Sequence, residues 1–177
     1  MENYLPIFIT FLLTSIGTWL TKDYWDKRNR KMEHDCALFE KFILLLPSST
    51  GVVQHLTDHD FGNSYVFNKH APLHELHYDW SVPEKEFLTK DVERARKNLL
   101  KINEEFLDKL SRATGVIRSV GDDTLMGIHD PNQTISSGQK ERRDQAVVDV
   151  NKLADRWVEA YHAFTKLAKG RLLASSP

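Results

Sequence analysis

Hydrophobic positions fall into long periodic stretches separated by polar segments. The first runs from Tyr4 to Leu20, seventeen residues without a formal charge (YLPIFITFLLTSIGTWL). An apolar face continues through Trp25, Met32, Phe39, Phe42, Ile43 and Leu46, until Pro47, Ser48 and Ser49 interrupt it. The spacing predicts one helix of about forty residues with no break at its middle. Residues 47–83 differ in character. Short apolar pieces such as Val52-Val53 and Tyr65-Val66-Phe67 alternate with Gly, Asn, His and Pro, which predicts a short helix, an irregular segment or a small hairpin. Ser81 followed by Glu84 has the form of a capping box at a helix start. Leu88, Val92, Ala95, Leu99, Ile102, Phe106, Leu110, Ala113, Ile117 and Val120 then make an apolar seam on a helix of roughly thirty-five residues. Gly121, Asp122 and Asp123 stop it. A last helix is expected from Gly138 to Leu173, with its seam at Val150, Leu153, Trp157, Ala160, Phe164 and Leu167.

The two long helices should fold back as an antiparallel hairpin. Its open side needs the first helix, the 47–83 segment or a second copy of the chain. The expected fold is therefore all-α. A transmembrane anchor at 1–21 continues into a stalk helix at 22–46, followed by an irregular His-rich segment at 47–83 and a long helical hairpin at 84–177.

Charge gives the expected anchor a direction. Seventeen helical residues reach about 25 Å, near the lower bound for a hydrocarbon core of about 30 Å. Trp19, Tyr24 and Trp25 supply interfacial rings. Lys22, Lys27, Arg28, Arg30 and Lys31 follow, diluted by Asp23 and Asp26. Positive charge after the apolar run is the reverse of a secretory signal. It predicts a single pass through the inner membrane, with the amino terminus outside and the body cytoplasmic. Thr10, Thr14 and Thr18 recur every fourth residue with Gly17 beside them, a pattern suited to contact between membrane helices. The competing account has each hydroxyl bonding its own helix backbone.

Composition narrows the picture. The chain has 177 residues, 41% of them hydrophobic and 28% charged, with only 8 Gly and 6 Pro, which excludes a disordered or collagen-like protein. A net charge of −1 argues against a general nucleic-acid binder, and no direct DNA binding is expected. The single cysteine, Cys36, excludes an internal disulfide and a multi-cysteine metal cluster, and suits a reducing compartment.

Two places have the composition of a site. Five of the eight histidines (His55, His59, His70, His74 and His77) lie close together in the 47–83 segment. His55 and His59 are four apart, and His74 and His77 three apart, as pairs of metal ligands on one helix face would be. No His-Glu-x-x-His string accompanies them, because Leu56 follows His55. Solvated loop histidines are the competing account. The second place is the segment Gly121–Ser137 and the helix start beyond it. Ser136, Ser137, Gly138, Lys140, Arg142 and Arg143 combine hydroxyls, free helix N–H groups and cations, the ingredients of an anion site. Glu141 and Asp144 can neutralise the same cations, and no P-loop string is present. Arg94, Arg96, Lys97 and Lys101 form another basic patch. Arg94 and Lys97 are assigned to the same anion site, unless Asp91 and Glu93 simply pair with them along the helix.

The function expected from these features is non-enzymatic. A membrane-anchored homo-oligomer would bind a ligand, including an anionic or cyclic-nucleotide signal, and act through its transmembrane helices. The layout resembles that of small bacterial membrane effectors of antiviral defence. The likeness is one of arrangement, with no shared motif. The alternatives are a membrane-tethered metal-dependent enzyme using the histidines, and a membrane adaptor for a partner protein. No cofactor is assigned.

Overall fold

The computed structural model describes residues 4–129 and 136–173, with side chains from residue 22 onward. Helix α1 spans Tyr4–Leu45 without interruption and ends ahead of Pro47. Helix α2 (Gly51–Asp58) follows a turn in which Gly51 takes φ +67°, a conformation that glycine adopts without strain. Strand β1 (Tyr65–Val66) leads through a 3-10 turn (Phe67–His70) into α3 (Ala71–Asp79). Pro72 sits in the first turn of α3, where its missing N–H has no partner to lose.

Helix α4 covers Lys90–Ala113, shorter at both ends than periodicity predicts. The expected capping box at Ser81 does not form, and residues 83–85 make only a 3-10 turn. A buried carboxylate from α1 organises the entry to α4 instead. Asp35 accepts from the backbone N–H of Leu88 at 2.7 Å and of Thr89 at 2.8 Å. At the other end the apolar seam passes out of helix into sheet. Ile117 and Val120 lie on β2 (Gly115–Val120), which turns through Gly121 and Asp122 into β3 (Asp123–Gly127). The alternation of β-branched residues with Arg118 and Ser119 favours a strand here, and Gly121 at φ +59° supplies the tight turn. The sheet is antiparallel in the order β1-β3-β2. Ile117 is an extra residue bulged between the pairs Val116–Met126 and Arg118–Leu125. Helix α5 (Ser137–Ala168) opens on a capping box: Ser136 accepts from Gln139 N–H, and the Gln139 side chain accepts from Ser136 N–H.

Helices α4 and α5 pair along their length. Their seam is covered by the carboxyl-terminal part of α1, by α2 and by α3. Phe39, Phe42, Trp80, Phe87, Tyr161 and Phe164 form an aromatic core, in which Phe42 and Phe164 meet edge-on at 4.7 Å. Tyr161 ties this core to the end of α1 by donating to the Leu46 carbonyl at 2.7 Å. Asn103, fully buried on α4, donates to Leu73 C=O at 2.9 Å and accepts from Trp157 Nε1 at 3.0 Å, joining α3, α4 and α5. Replacing Asn103 by leucine keeps the volume but orphans the buried Trp157 N–H and removes a bond to the Leu73 carbonyl. We expect a loss of about 2–4 kcal/mol, read from the urea midpoint.

The helical bundle stands, with a small sheet added, but the expected anchor requires correction. Among the described residues no helix is long and apolar enough to cross a membrane. From Lys22 onward α1 carries closely spaced charges, each costing about 2.5–3.5 kcal/mol at a bilayer centre. Beyond them Leu38, Phe39, Phe42 and Leu46 are buried in the protein core. The side chains of Thr10, Thr14, Gly17 and Thr18 lie outside the described residues. The single-pass topology, the inner-membrane location and action through membrane helices all rested on the anchor and fall with it. The homo-oligomer loses its motive as well, because α1, α2 and α3 close the open side of the hairpin within one chain.

Candidate functional site

Three arginines line a concave surface where α4 runs into β2 and α5 begins. Because α4 and α5 are antiparallel, Arg112 at the end of one comes beside Arg142 and Arg143 near the start of the other. A groove of about 680 Å³ opens between them, with Gly115, Val116 and Ile117 of β2 along it. Across the hairpin, Ile117 lies over Gly127. A Cβ there would come within 2.7 Å of Ile117 Cδ1, so the end of that side chain would have to shift to admit one. Arg112 pairs with Asp108 at 2.8 Å on its own helix and remains exposed. Arg143 donates to Nδ1 of His129 at 2.8 Å, since a guanidinium has no acceptor. Arg142 is exposed and makes no ion pair among the described residues. The N-terminal end of α5 adds its positive dipole to this field.

The structure divides the residues assigned to the anion site. Lys140 and Arg143 line a smaller cavity of about 460 Å³ beside the groove, with His129 and Asp144. Ser136 is occupied by its capping box with Gln139, and Ser137 and Gly138 lie exposed in the first turn of α5. Arg94 and Lys97 do not join them. They are fifteen to eighteen residues before Arg112 on α4, some 22–27 Å away at about 1.5 Å per residue. Lys97 is paired with Glu86 at 3.1 Å and Glu93 at 3.3 Å. Asp91 pairs with Arg171 at 2.6 Å, not with Arg94. Arg112 and the start of β2 were missed because a seam read as helix hides the turn that brings them to the groove. The nucleotide ligand is corrected too. Among the described residues no aromatic side chain lines the groove, and nothing in it singles out a base.

The histidines assemble differently from their spacing. His55 on α2 and His59, which ends that helix, meet at a centroid distance of 4.4 Å, and His70 joins them 5.2 Å from His55. His74 packs on Phe67, and His77 on Tyr78. The nearest carboxylate, Asp60, is engaged with the Gly62 N–H and Asn151, both at 2.8 Å. No group of three His, Cys, Asp or Glu among the described residues is placed to hold a metal ion. That overturns the metal-dependent enzyme. Ligation needs lone pairs converging about 2.0–2.1 Å from one point, whereas these rings pack against each other and against Phe61 and Tyr65. His55 Nε2, His59 Nε2 and both nitrogens of His70 are buried without a hydrogen-bond partner. Burial and mutual repulsion push His55 down to about 4 and His70 to about 3, and burial lowers His59 as well. His70 is buried and His55 and His59 are half-buried beside it, so burial favours the neutral form of all three.

Comparison with family models, curated proteins and solved structures gives no match. The geometry alone defines the class: a helical bundle with an appended β-hairpin and a basic groove where they join.

Proposed function

We propose that this chain is a non-catalytic binding protein whose groove between β2 and α5 receives an anionic ligand. The observation that supports it is the meeting of Arg112, Arg142 and Arg143 around one concave surface. Guanidinium groups keep their charge at every ordinary pH, so they hold carboxylates or phosphates and do not exchange protons. Val116 and Ile117 give the groove an apolar side, which suits a ligand that is not wholly ionic.

The probe is inorganic tripolyphosphate, titrated calorimetrically into the full chain. We expect saturable binding that weakens as salt rises. Arg142→Gln should weaken it about tenfold, the loss of one charge-assisted hydrogen bond, with an unchanged circular dichroism spectrum. Absence of binding by both tripolyphosphate and an acidic peptide would overturn the reading, as would equal affinity in the variant.

A further inference from the structure

Strand β2 is the outer strand of its sheet, and five of its six residues are exposed. Proteins usually keep such edges short, charged or covered, because their free backbone groups recruit other strands. The bulge at Ile117 and the lone charge of Arg118 protect this edge only in part, because two valines on it stay exposed. Val116 is 68% exposed and Val120 49% exposed. The charge it does carry is of one sign. Arg118 lies between the two valines, and Arg112 and Arg142 stand at the groove by the start of the strand. Neither Arg118 nor Arg142 has an ion-pair partner among the described residues.

We propose that β2 is a docking edge, to which an extended acidic segment of a partner protein adds as a fourth strand. This rests on the reading of the groove as an anion site, and names the ligand's chemistry. Main-chain hydrogen bonds to β2 would give affinity, and alternate side chains would give specificity. Carboxylates would lie toward Arg112, Arg118 and Arg142, with apolar residues over Val116 and Val120. A second copy of this chain fits less well. Antiparallel pairing of β2 with itself, centred on the strand, would set the Arg118 residues of the two copies opposite each other, and like charges across a strand pair destabilise it.

The register identifies a backbone group to test. The two-residue turn makes Val120–Asp123 a hydrogen-bonded pair, so Ser119–Thr124 is the alternate, non-bonded kind. The N–H of Ser119 therefore points away from β3, toward the incoming strand. Ser119→Pro removes that donor and spares the ladder to β3.

The experiment titrates the full chain with an end-blocked heptapeptide Val-Thr-Glu-Thr-Val-Thr-Glu, which puts valine and glutamate in turn on one face as Val120 and Arg118 are, with the same peptide N-methylated at alternate residues, and with tripolyphosphate. We expect the plain peptide to bind, its N-methylated form to bind at least tenfold more weakly, and Ser119→Pro to weaken the plain peptide by a similar factor. Tripolyphosphate binding should be unchanged by Ser119→Pro, which also shows that the variant is folded. Equal binding of both peptides, or tripolyphosphate binding without peptide binding, would overturn the docking edge and leave the anion groove standing. No binding of any probe would remove both. A concentration-dependent dimer abolished by Ser119→Pro, with no peptide binding, would assign the edge to a second copy and also overturn the proposal.

Discussion

Replacing Arg96 by alanine should destabilise the protein by about 3–5 kcal/mol, the largest loss expected from any single substitution here. Arg96 is 2% exposed although it belongs to an apparently solvated run of charges on α4. Its Nε and Nη2 donate to the two oxygens of Glu93, at 2.8 Å and 2.7 Å, and Nη1 donates to the Trp80 carbonyl. Glu93 in turn accepts from the Phe87 N–H at 2.8 Å. One guanidinium thus secures the chain between α3 and α4 against the first turn of α4. Burial works against the Glu93 charge, yet Arg96, the Phe87 N–H and Lys97 outweigh it and hold its carboxyl below the usual range. Truncating Arg96 strips the main counter-charge from a carboxylate that is 12% exposed and orphans a buried carbonyl. Urea unfolding of Arg96→Ala, Glu93→Gln and the double variant measures this. The double variant should lose less than the sum of the singles, because a neutral Glu93 no longer needs its partner. A loss below about 1 kcal/mol for Arg96→Ala would show that the pair is replaceable by solvent, against the burial argument.

Acidification should destabilise the protein before its carboxylates titrate. His70 is 1% exposed and packs on Tyr65 at 4.5 Å, with His55 and His59 beside it and Lys69 adding repulsion. Its folded value, about 3, lies below the ordinary 6.5 of the unfolded chain. The unfolded state therefore binds the proton first as pH falls. The stability conferred by a neutral His70 is fully present above about 6.5 and is lost progressively below it, by about 2 kcal/mol at pH 5. His55, lowered to about 4, and His59 add to the loss in the same direction. Asp60 beside His59 favours the charged form there and tempers the effect. Urea midpoints at pH 7.5 and pH 5 test the sign. They should fall together with pH, and His70→Phe, which suits the neighbouring aromatic rings, should flatten the slope. A wild-type midpoint unchanged down to pH 5 would mean that the trio is solvated.

The parts of the fold that were legible along the chain are those governed by near neighbours. The apolar spacing from Val92 to Leu110 and from Val150 to Phe164 marks two long helices, because burial on a helix face repeats every three or four residues. The same rule failed at Ile117 and Val120. Two apolar residues three apart fit a helix in sequence, but pairing with β3 offers those backbone groups a sheet instead. The helix start at Ser136 was readable to within a residue, whereas Ser81 and Glu84 have cap-like spacing and no helix to cap. The apolar amino-terminal run predicted a membrane span. Such a run records only local hydropathy, and the apolar face that follows it in α1 is taken up by the bundle.

The sequence alone determined the long helices and the basic character of the α5 start. Each depends on residues within a turn or two of one another. Tertiary structure alone decided that Arg112 faces Arg142, that Arg96 is buried on Glu93, and that His70 rather than His74 or His77 completes the imidazole trio. Arg112 and Arg142, like His55 and His70, come from different elements, while Arg96 and Glu93 share α4 and are buried only because other elements pack over them. Spacing within one element says which side chains share a face, while which face meets which is set by how the whole core closes.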